Sequence, residues 1–227
     1  MKIFFSILEL FSEKKCFSCS QVGHFFCQKC FDRLDIYEPY CYLCKKPSSN
    51  FALHTDCYRH FPLEQVIVLT HYRNPWVKRL LRHAKYYGKH QAYSDIIYKW
   101  QELFEKNISD KNALLVPVPI PLFRRWKRGY NQTDIIAKYL SKILDIPVDN
   151  NLLKRKMYSK QQSHLSQSER KKNIKNTFFV QNNSLRKDIT LYLVDDIIST
   201  GATLLEIAHT LRQDGFTDIR AMVLASD

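Results

Sequence analysis

Apolar residues alternate along the chain between runs of strand length and stripes of helical spacing. Residues 66–71 (Val-Ile-Val-Leu-Thr-His) are rich in β-branched side chains and predict a strand. After Asn74-Pro75 the apolar positions Trp76, Val77, Leu80 and Leu81 take helical spacing, with Lys78, Arg79, Arg82 and Lys85 between them, and Gly88 ends the pattern. A second helix carries Ala92, Ile96, Ile97, Trp100, Leu103 and Phe104. Residues 113–118 predict the next strand, stopped by Pro117 and Pro119. Ile135, Ile136, Tyr139, Leu140, Ile143 and Leu144 predict another amphipathic helix, and a polar basic stretch fills 150–176. A strand at 190–194, a helix from Ala202 to about Asp214 closed by Gly215, and a strand at 219–225 complete the pattern. Strands alternating with helices predict an α/β fold on a parallel sheet. Residues 58–65 read as a linker, dividing an N-terminal module (1–60) from the α/β domain (61–227).

One run changes the picture from fold to chemistry. Residues 191–204 read LYLVDDIISTGATL: an apolar strand, two carboxylates (Asp195, Asp196), a small polar loop and the start of a helix. A helix N-terminus presents unpaired N–H groups and partial positive charge, which suits a phosphate. Ser199, Thr200 and Thr203 add hydroxyl donors, and Gly201 and Ala202 keep the backbone open to close approach. Carboxylates at a strand's C-terminal end lie where open α/β sheets bind ligands. Beside a phosphate they suit sugar hydroxyls and a shared Mg²⁺. The implied ligand is a phosphorylated ribose. The plainer alternative is a strand–turn–helix whose Asp pair caps the helix. A Walker loop is excluded, since no Gly-Lys-Ser/Thr ends a glycine-rich run.

All seven cysteines lie within residues 16–57, as Cys16-x2-Cys19, Cys27-x2-Cys30, Cys41-x2-Cys44 and a final Cys57. His54 precedes Cys57 by the same spacing, giving eight candidate ligands for one or two structural Zn²⁺. Spacing leaves the pairing open. Sequential pairing groups Cys16, Cys19, Cys27, Cys30 and then Cys41, Cys44, His54, Cys57, whereas interleaved pairing joins Cys16/Cys19 to Cys41/Cys44. His24 reads as a bystander. The apolar residues 1–11 are broken by Ser6 and Glu9 with no small-residue cleavage site, so a short docking helix is expected rather than a signal peptide. No run reaches the about 18 apolar residues of a membrane span. The expectation is a cytoplasmic protein, whose reduced thiols favour metal over disulfides.

The 227 residues carry a net charge of +13, and the chain is 45% apolar and 25% charged, a globular composition with a bias toward polyanions. Three basic clusters carry the charge. The first runs from Pro121 to Gln132 and includes Arg124, Arg125, Lys127 and Arg128. The second runs from Lys154 to Lys175, and the third from Lys78 to Lys89 has Tyr72, Trp76, Tyr86 and Tyr87 at its edges and among its charges. Basic residues mixed with aromatics suit single-stranded nucleic acid, and a solvated face is the alternative for any one cluster. Lys78, Arg79, Arg82 and Lys85 are the candidates for DNA contact, and Arg128 for the phosphorylated ligand.

Residues 191–204 resemble the 5-phosphoribosyl-1-pyrophosphate (PRPP) loop of type I phosphoribosyltransferases. That resemblance implies Asp195 and Asp196 on the ribose hydroxyls and Ser199 to Thr203 around the 5′-phosphate. With VPVP, RRWKRGYNQ, Arg155…Gln162-x2-Leu165-x4-Arg170-x2-Asn173 and the N-terminal knuckles, most of the chain is similar to the ComF family. His54 stands where many members carry Cys. The resemblance implies a type I phosphoribosyltransferase-like domain behind a small zinc-ribbon or zinc-finger module. It also implies PRPP with Mg²⁺, incoming single-stranded DNA in natural transformation, and a competence helicase as candidate partner.

Three functions compete. One is a PRPP-binding, DNA-binding competence protein. The second is a metabolic phosphoribosyltransferase acting on an unidentified acceptor. The third is a zinc-ribbon adaptor with the sheet as scaffold, which the intact phosphoribose loop disfavours.

Overall fold

The computed structural model describes residues 14–34, 36–86, 90–108, 112–156, 177–181 and 185–227. The N-terminal segment contains α1 (Gln28–Phe31), a 3₁₀ turn (Ser49–Phe51) and α2 (Thr55–His60). There follow β1 (Gln65–His71), α3 (Pro75–Tyr86), α4 (Gln91–Lys99), α5 (Gln101–Asn107), β2 (Ala113–Pro117), α6 (Leu122–Arg128) and α7 (Gln132–Leu144). The chain continues through β3 (Leu153–Arg155), β4 (Phe178–Val180), β5 (Thr190–Ile198), α8 (Ala202–Gln213) and β6 (Ile219–Ser226). The expected helix at 1–11, Tyr87, Gly88, and the motif residues Gln162, Leu165, Arg170 and Asn173 lie outside the described residues.

Strands β1, β6, β5 and β2 form, in that order, a sheet whose three pairings are all parallel. Parallel sheets are covered on both faces, which explains why their strands are continuous apolar runs instead of alternating ones. Leu191, Tyr192, Leu193 and Val194 of β5 are fully buried. Strands β3 and β4 make a separate antiparallel pair, three residues long on each side.

The two strands beside β5 pair with it over different lengths. The β2–β5 register ends at Pro117↔Val194. The β5–β6 register continues to Ile198↔Ser226. Strand β5 therefore runs four residues beyond the end predicted at 194, and Asp195 and Asp196 lie within it, past the point where β2 has stopped.

Two further expectations are corrected. Residues 58–65 are not a linker: 58–60 belong to α2, Phe61 and Leu63 are buried, and the Glu64 amide donates to the Ile219 carbonyl. The helix expected through Phe104 breaks at Trp100 (φ −104°, ψ 14°), whose buried indole packs against Phe31. The basic run after β2 forms the helix α6, stopped by Gly129 in the left-handed region. Gly tolerates that conformation at little cost. One continuous core joins buried residues of the cysteine-rich segment, such as Phe26 and Phe51, to the sheet.

Candidate phosphoribose and metal sites

Asp196 is 4% exposed, and its carboxylate meets the Lys85 ammonium at 2.7 Å. Lys85 comes from the last turn of α3, so the sheet end and the basic helix are tied by a charge-assisted hydrogen bond. The Asp195 carboxylate accepts a hydrogen bond from the Asp196 amide at 2.8 Å. Burial, then the neighbouring Asp196 charge, holds the Asp195 carboxyl well above the usual carboxylate range. Tyr93 of α4 is fully buried and close enough to feel the Asp196 charge, and with burial first this pushes its phenol up. Among the described residues its hydroxyl has no hydrogen-bond partner.

After Ile198 the chain leaves the sheet through Ser199 and Thr200, both exposed. Gly201 turns it at φ +74° into the first turn of α8, where the Thr200 hydroxyl accepts a hydrogen bond from the Ala202 amide at 3.4 Å. A Cβ at Gly201 would lie 2.9 Å from Phe61 Cε2 and 3.2 Å from Tyr42 Cε1, so only glycine fits. Ala202 and Thr203 are half-buried at the helix start.

Arg128 reaches the same region from α6. It donates to Gln132 Oε1 at 3.0 Å and to the Tyr86 hydroxyl at 3.3 Å, over the Tyr86 ring. Arg128, Lys85, Tyr86, Tyr130, Phe123, Arg124 and Lys127 line one cleft of about 440 Å³. The Tyr130 hydroxyl donates to the carbonyls of Ala84 and Lys85, both at 2.9 Å, which fixes the end of α3 against the start of α7.

The four residues named for DNA contact do not stay together. Lys78, Arg79 and Arg82 are exposed and share a groove of about 380 Å³ with Pro75 and His83. Lys85 is withdrawn to the acidic pair, its side chain 17% exposed. A single helix turn separates Lys85 from Arg82, and that is enough to change the surface each one faces.

The cysteines fall into two groups with the sequential membership. Cys16, Cys19, Cys27 and Cys30 form one, and Cys41, Cys44, His54 and Cys57 the other; in each, the four ligand atoms lie within 4.8 Å of one another. His24 belongs to neither. With zinc–sulfur bonds of about 2.3 Å, sulfurs of a tetrahedral site sit about 3.8 Å apart. Cys19 Sγ and Cys27 Sγ are 3.6 Å apart, and Cys44 Sγ and His54 Nδ1 3.3 Å. Burial opposes ionisation of Cys16, yet amides of Cys27, Cys19 and Ser18 outweigh it and bring the thiol to about 6. Cys41 likewise falls to about 6 against burial, through amides of Cys44, His54 and Leu43. Their neighbours move the other way: burial first pushes Cys27 and Cys57 up, the latter to about 11, so one thiol in each group ionises ahead of the others. The ligand types and their clustering fit zinc, and each group can hold one ion with every position protein-filled, the mark of a structural site.

Sequence reasoning missed Tyr42, Phe61 and Tyr93. Tyr42 sits inside a knuckle read only for its sulfurs, Phe61 in the supposed linker, and Tyr93 on a helix read as core.

Residues 127–227 match the phosphoribosyl transferase domain family. Fold and match together define a phosphoribosyltransferase-type domain, here with an N-terminal pair of cysteine-rich groups that could hold metal. The chain belongs to the ComF family of competence proteins. It is 32% identical to competence protein F of Haemophilus influenzae over 207 residues, 82% of this chain and 84% of that one. Against competence protein ComFC of Bacillus subtilis the identity is 27% over 214 residues, 89% of this chain and 80% of that one. DNA utilization protein YhgH of Escherichia coli is 33% identical over 110 residues, 48% of either chain, so this chain spans about half of that relative. Among solved structures, the glutamine PRPP amidotransferase of B. subtilis matches at TM-score 0.41 and 18% identity, covering 59% of this chain and 26% of that one.

Two outcomes follow from this geometry. Elemental analysis of protein purified without chelator is expected to find two zinc ions per chain, falling to one in Cys44→Ser; a metal-free parent would refute both sites. The raised Asp195 carboxyl costs stability as pH rises from the unfolded value near about 4 through its folded value, because the folded state binds the extra proton. Asp195→Asn is therefore expected to be more stable than the parent at pH 7, with the gap closing toward pH 4, measured by urea unfolding at both.

Proposed function

We propose that this protein binds PRPP with Mg²⁺ at the acidic end of β5 and handles incoming single-stranded DNA in the cytoplasm during natural transformation. The observation that carries the first half is the juxtaposition of Asp195 and Asp196, past the end of β2, with a glycine-turned loop opening α8. In this reading the carboxylates take the ribose hydroxyls and help hold Mg²⁺. Ser199, Thr200, Gly201, Ala202 and Thr203 wrap the 5′-phosphate with amides and hydroxyls. The orphaned Tyr93 hydroxyl supports a polar ligand atom nearby. Arg128 lies in the cleft shared with Lys85, where its planar fork suits pyrophosphate oxygens. Lys85 pairs with Asp196 and so compensates a buried charge.

The second half rests on the names of the relatives, competence protein F, ComFC and DNA utilization protein YhgH, together with this surface. Lys78, Arg79 and Arg82 form a cationic strip beside the exposed Trp76. Around the cleft, α6 leaves Phe123 and Trp126 largely exposed between Arg124, Lys127 and Arg128. Exposed rings among cations stack bases while the backbone is neutralised. A second reading, transfer of phosphoribose from PRPP to an unidentified acceptor, draws support from the domain match over 127–227.

Calorimetry with PRPP and Mg²⁺ tests the site. Charge-assisted hydrogen bonds contribute about 1.5–3 kcal/mol each. Asp195→Asn/Asp196→Asn is thus expected to weaken affinity about a hundredfold or more, and unchanged binding would remove the assignment. For DNA, the slope of log affinity against log salt is about −0.7 per phosphate neutralised on single strands. Replacing Lys78, Arg79 and Arg82 by Ala is expected to flatten that slope by about 2 while leaving PRPP affinity intact. A parent that binds no single-stranded DNA at low salt would shift the function to the transferase reading.

A further inference from the structure

The two cysteine groups share a feature that metal binding does not require. In each, the residue after the first cysteine is a buried aromatic: Phe17 in Cys16-Phe17-Ser18-Cys19 and Tyr42 in Cys41-Tyr42-Leu43-Cys44. The two rings point at different functional surfaces.

Tyr42 reaches the loop that follows β5. Its hydroxyl donates to the Ser199 carbonyl at 2.9 Å. Phe61 packs beside it at 5.6 Å between ring centroids. Both rings crowd the backbone at Gly201, where the room for a Cβ is gone. Phe61 is tied to the same metal group from the other side, because its amide donates to the Cys57 carbonyl at 3.0 Å. The loop is therefore propped by two aromatics, one inside the Cys41–Cys44 knuckle and one at the end of the helix that carries Cys57.

Phe17 reaches α3 instead. Its ring lies 4.5 Å from His83, and the Arg79 guanidinium sits 5.8 Å from the Phe17 centroid. Arg79 also donates to the Phe17 carbonyl at 3.3 Å. The same group leans on α4, where the Phe25 amide donates to Asp95 Oδ2 at 2.8 Å and Lys99 donates to Gln28 Oε1 at 2.6 Å. Its contacts through Phe17 are with the helix that displays Lys78, Arg79 and Arg82.

We propose that the two metal groups are separate braces. The Cys41/Cys44/His54/Cys57 group positions the phosphate loop through Tyr42 and Phe61, and the Cys16/Cys19/Cys27/Cys30 group positions the basic helix α3 through Phe17. Tyr42 and Phe61 are positioning residues for the loop: they touch its backbone and leave its amides and hydroxyls free for ligand. What the loop binds rests on the PRPP reading; the bracing does not.

The test is amide hydrogen exchange on the zinc-loaded full chain without ligand, with zinc content measured in parallel. Tyr42→Phe keeps all eight metal ligands and is expected to retain both ions, yet to speed exchange over residues 199–205 and leave residues 76–86 unchanged. Phe17→Leu is expected to do the reverse. Cys44→Ser and Cys19→Ser, each losing one ion, are expected to reproduce the two patterns more strongly. PRPP calorimetry on Tyr42→Phe is expected to show affinity reduced about two- to tenfold, the effect of one hydrogen bond. Exchange over 199–205 that stays at the parent rate in both Tyr42→Phe and Cys44→Ser would overturn the proposal. So would equal loosening of both segments by either cysteine variant, which would make the module one block. If the parent binds no PRPP, the functional reading falls while the exchange data still decide the bracing.

Discussion

Strand β5 keeps its hydrogen-bonded partner on one side and loses it on the other. That half-paired end is the constraint on which the site depends. Pairing with β6 through Ile198 keeps Asp195 and Asp196 in rigid extended backbone. The end of β2 at Pro117 removes the strand that would otherwise cover them. One more bond lies beyond that pair, from the Val118 amide to the Val194 carbonyl at 3.0 Å, and Pro119 follows it. The buried LYLV run holds β5 in place, so two carboxylates are held at the half-paired strand end by core packing instead of by a flexible loop.

Rigid presentation of paired carboxylates has an electrostatic cost, and the surrounding residues distribute it. Asp196 is compensated by Lys85 at 2.7 Å. Asp195 is relieved by holding its proton more tightly. The ammonium that neutralises the sheet end belongs to the helix that also displays Lys78, Arg79 and Arg82, so the two surfaces share one rigid element. Anything that draws Lys85 away from Asp196 acts on the end of that helix, where Tyr130 also holds the Ala84 and Lys85 carbonyls.

Much of this was legible in the sequence because it rests on local pattern. Apolar runs gave each strand of the sheet, and the spacing of cysteines gave eight candidate ligands, while only the fold decides that they group sequentially. The acidic pair and its loop could be read because strand, carboxylates, glycine and hydroxyls are contiguous. The misses all depend on contacts between distant segments. Nothing near Lys85 signals that it turns from its neighbours to Asp196, 111 positions later. Tyr42 looks like a spacer between two sulfurs until Ser199 is brought to its hydroxyl. Phe61 lies in a short stretch with no periodicity, and its burial follows only from the approach of Gly201. The extent of β5 was underestimated because carboxylates usually end a strand, and here the ladder with β6 outweighs that tendency.

The outer edge of β1 is covered by the cysteine-rich segment, with Ile36 bridged to Thr70 and the Tyr37 amide donating to the Leu69 carbonyl. Its inner edge pairs with β6, the last strand of the sheet. On the ribosome, the cysteines and β1 emerge long before β6 exists. Non-local strand pairing of this kind is slow, and exposed edges in the interval invite misassembly. The cysteine-rich segment takes up one edge of that strand without needing β6. In the folded chain the segment stays on that outer edge while β6 fills the inner one, so both edges of β1 are covered against strand addition.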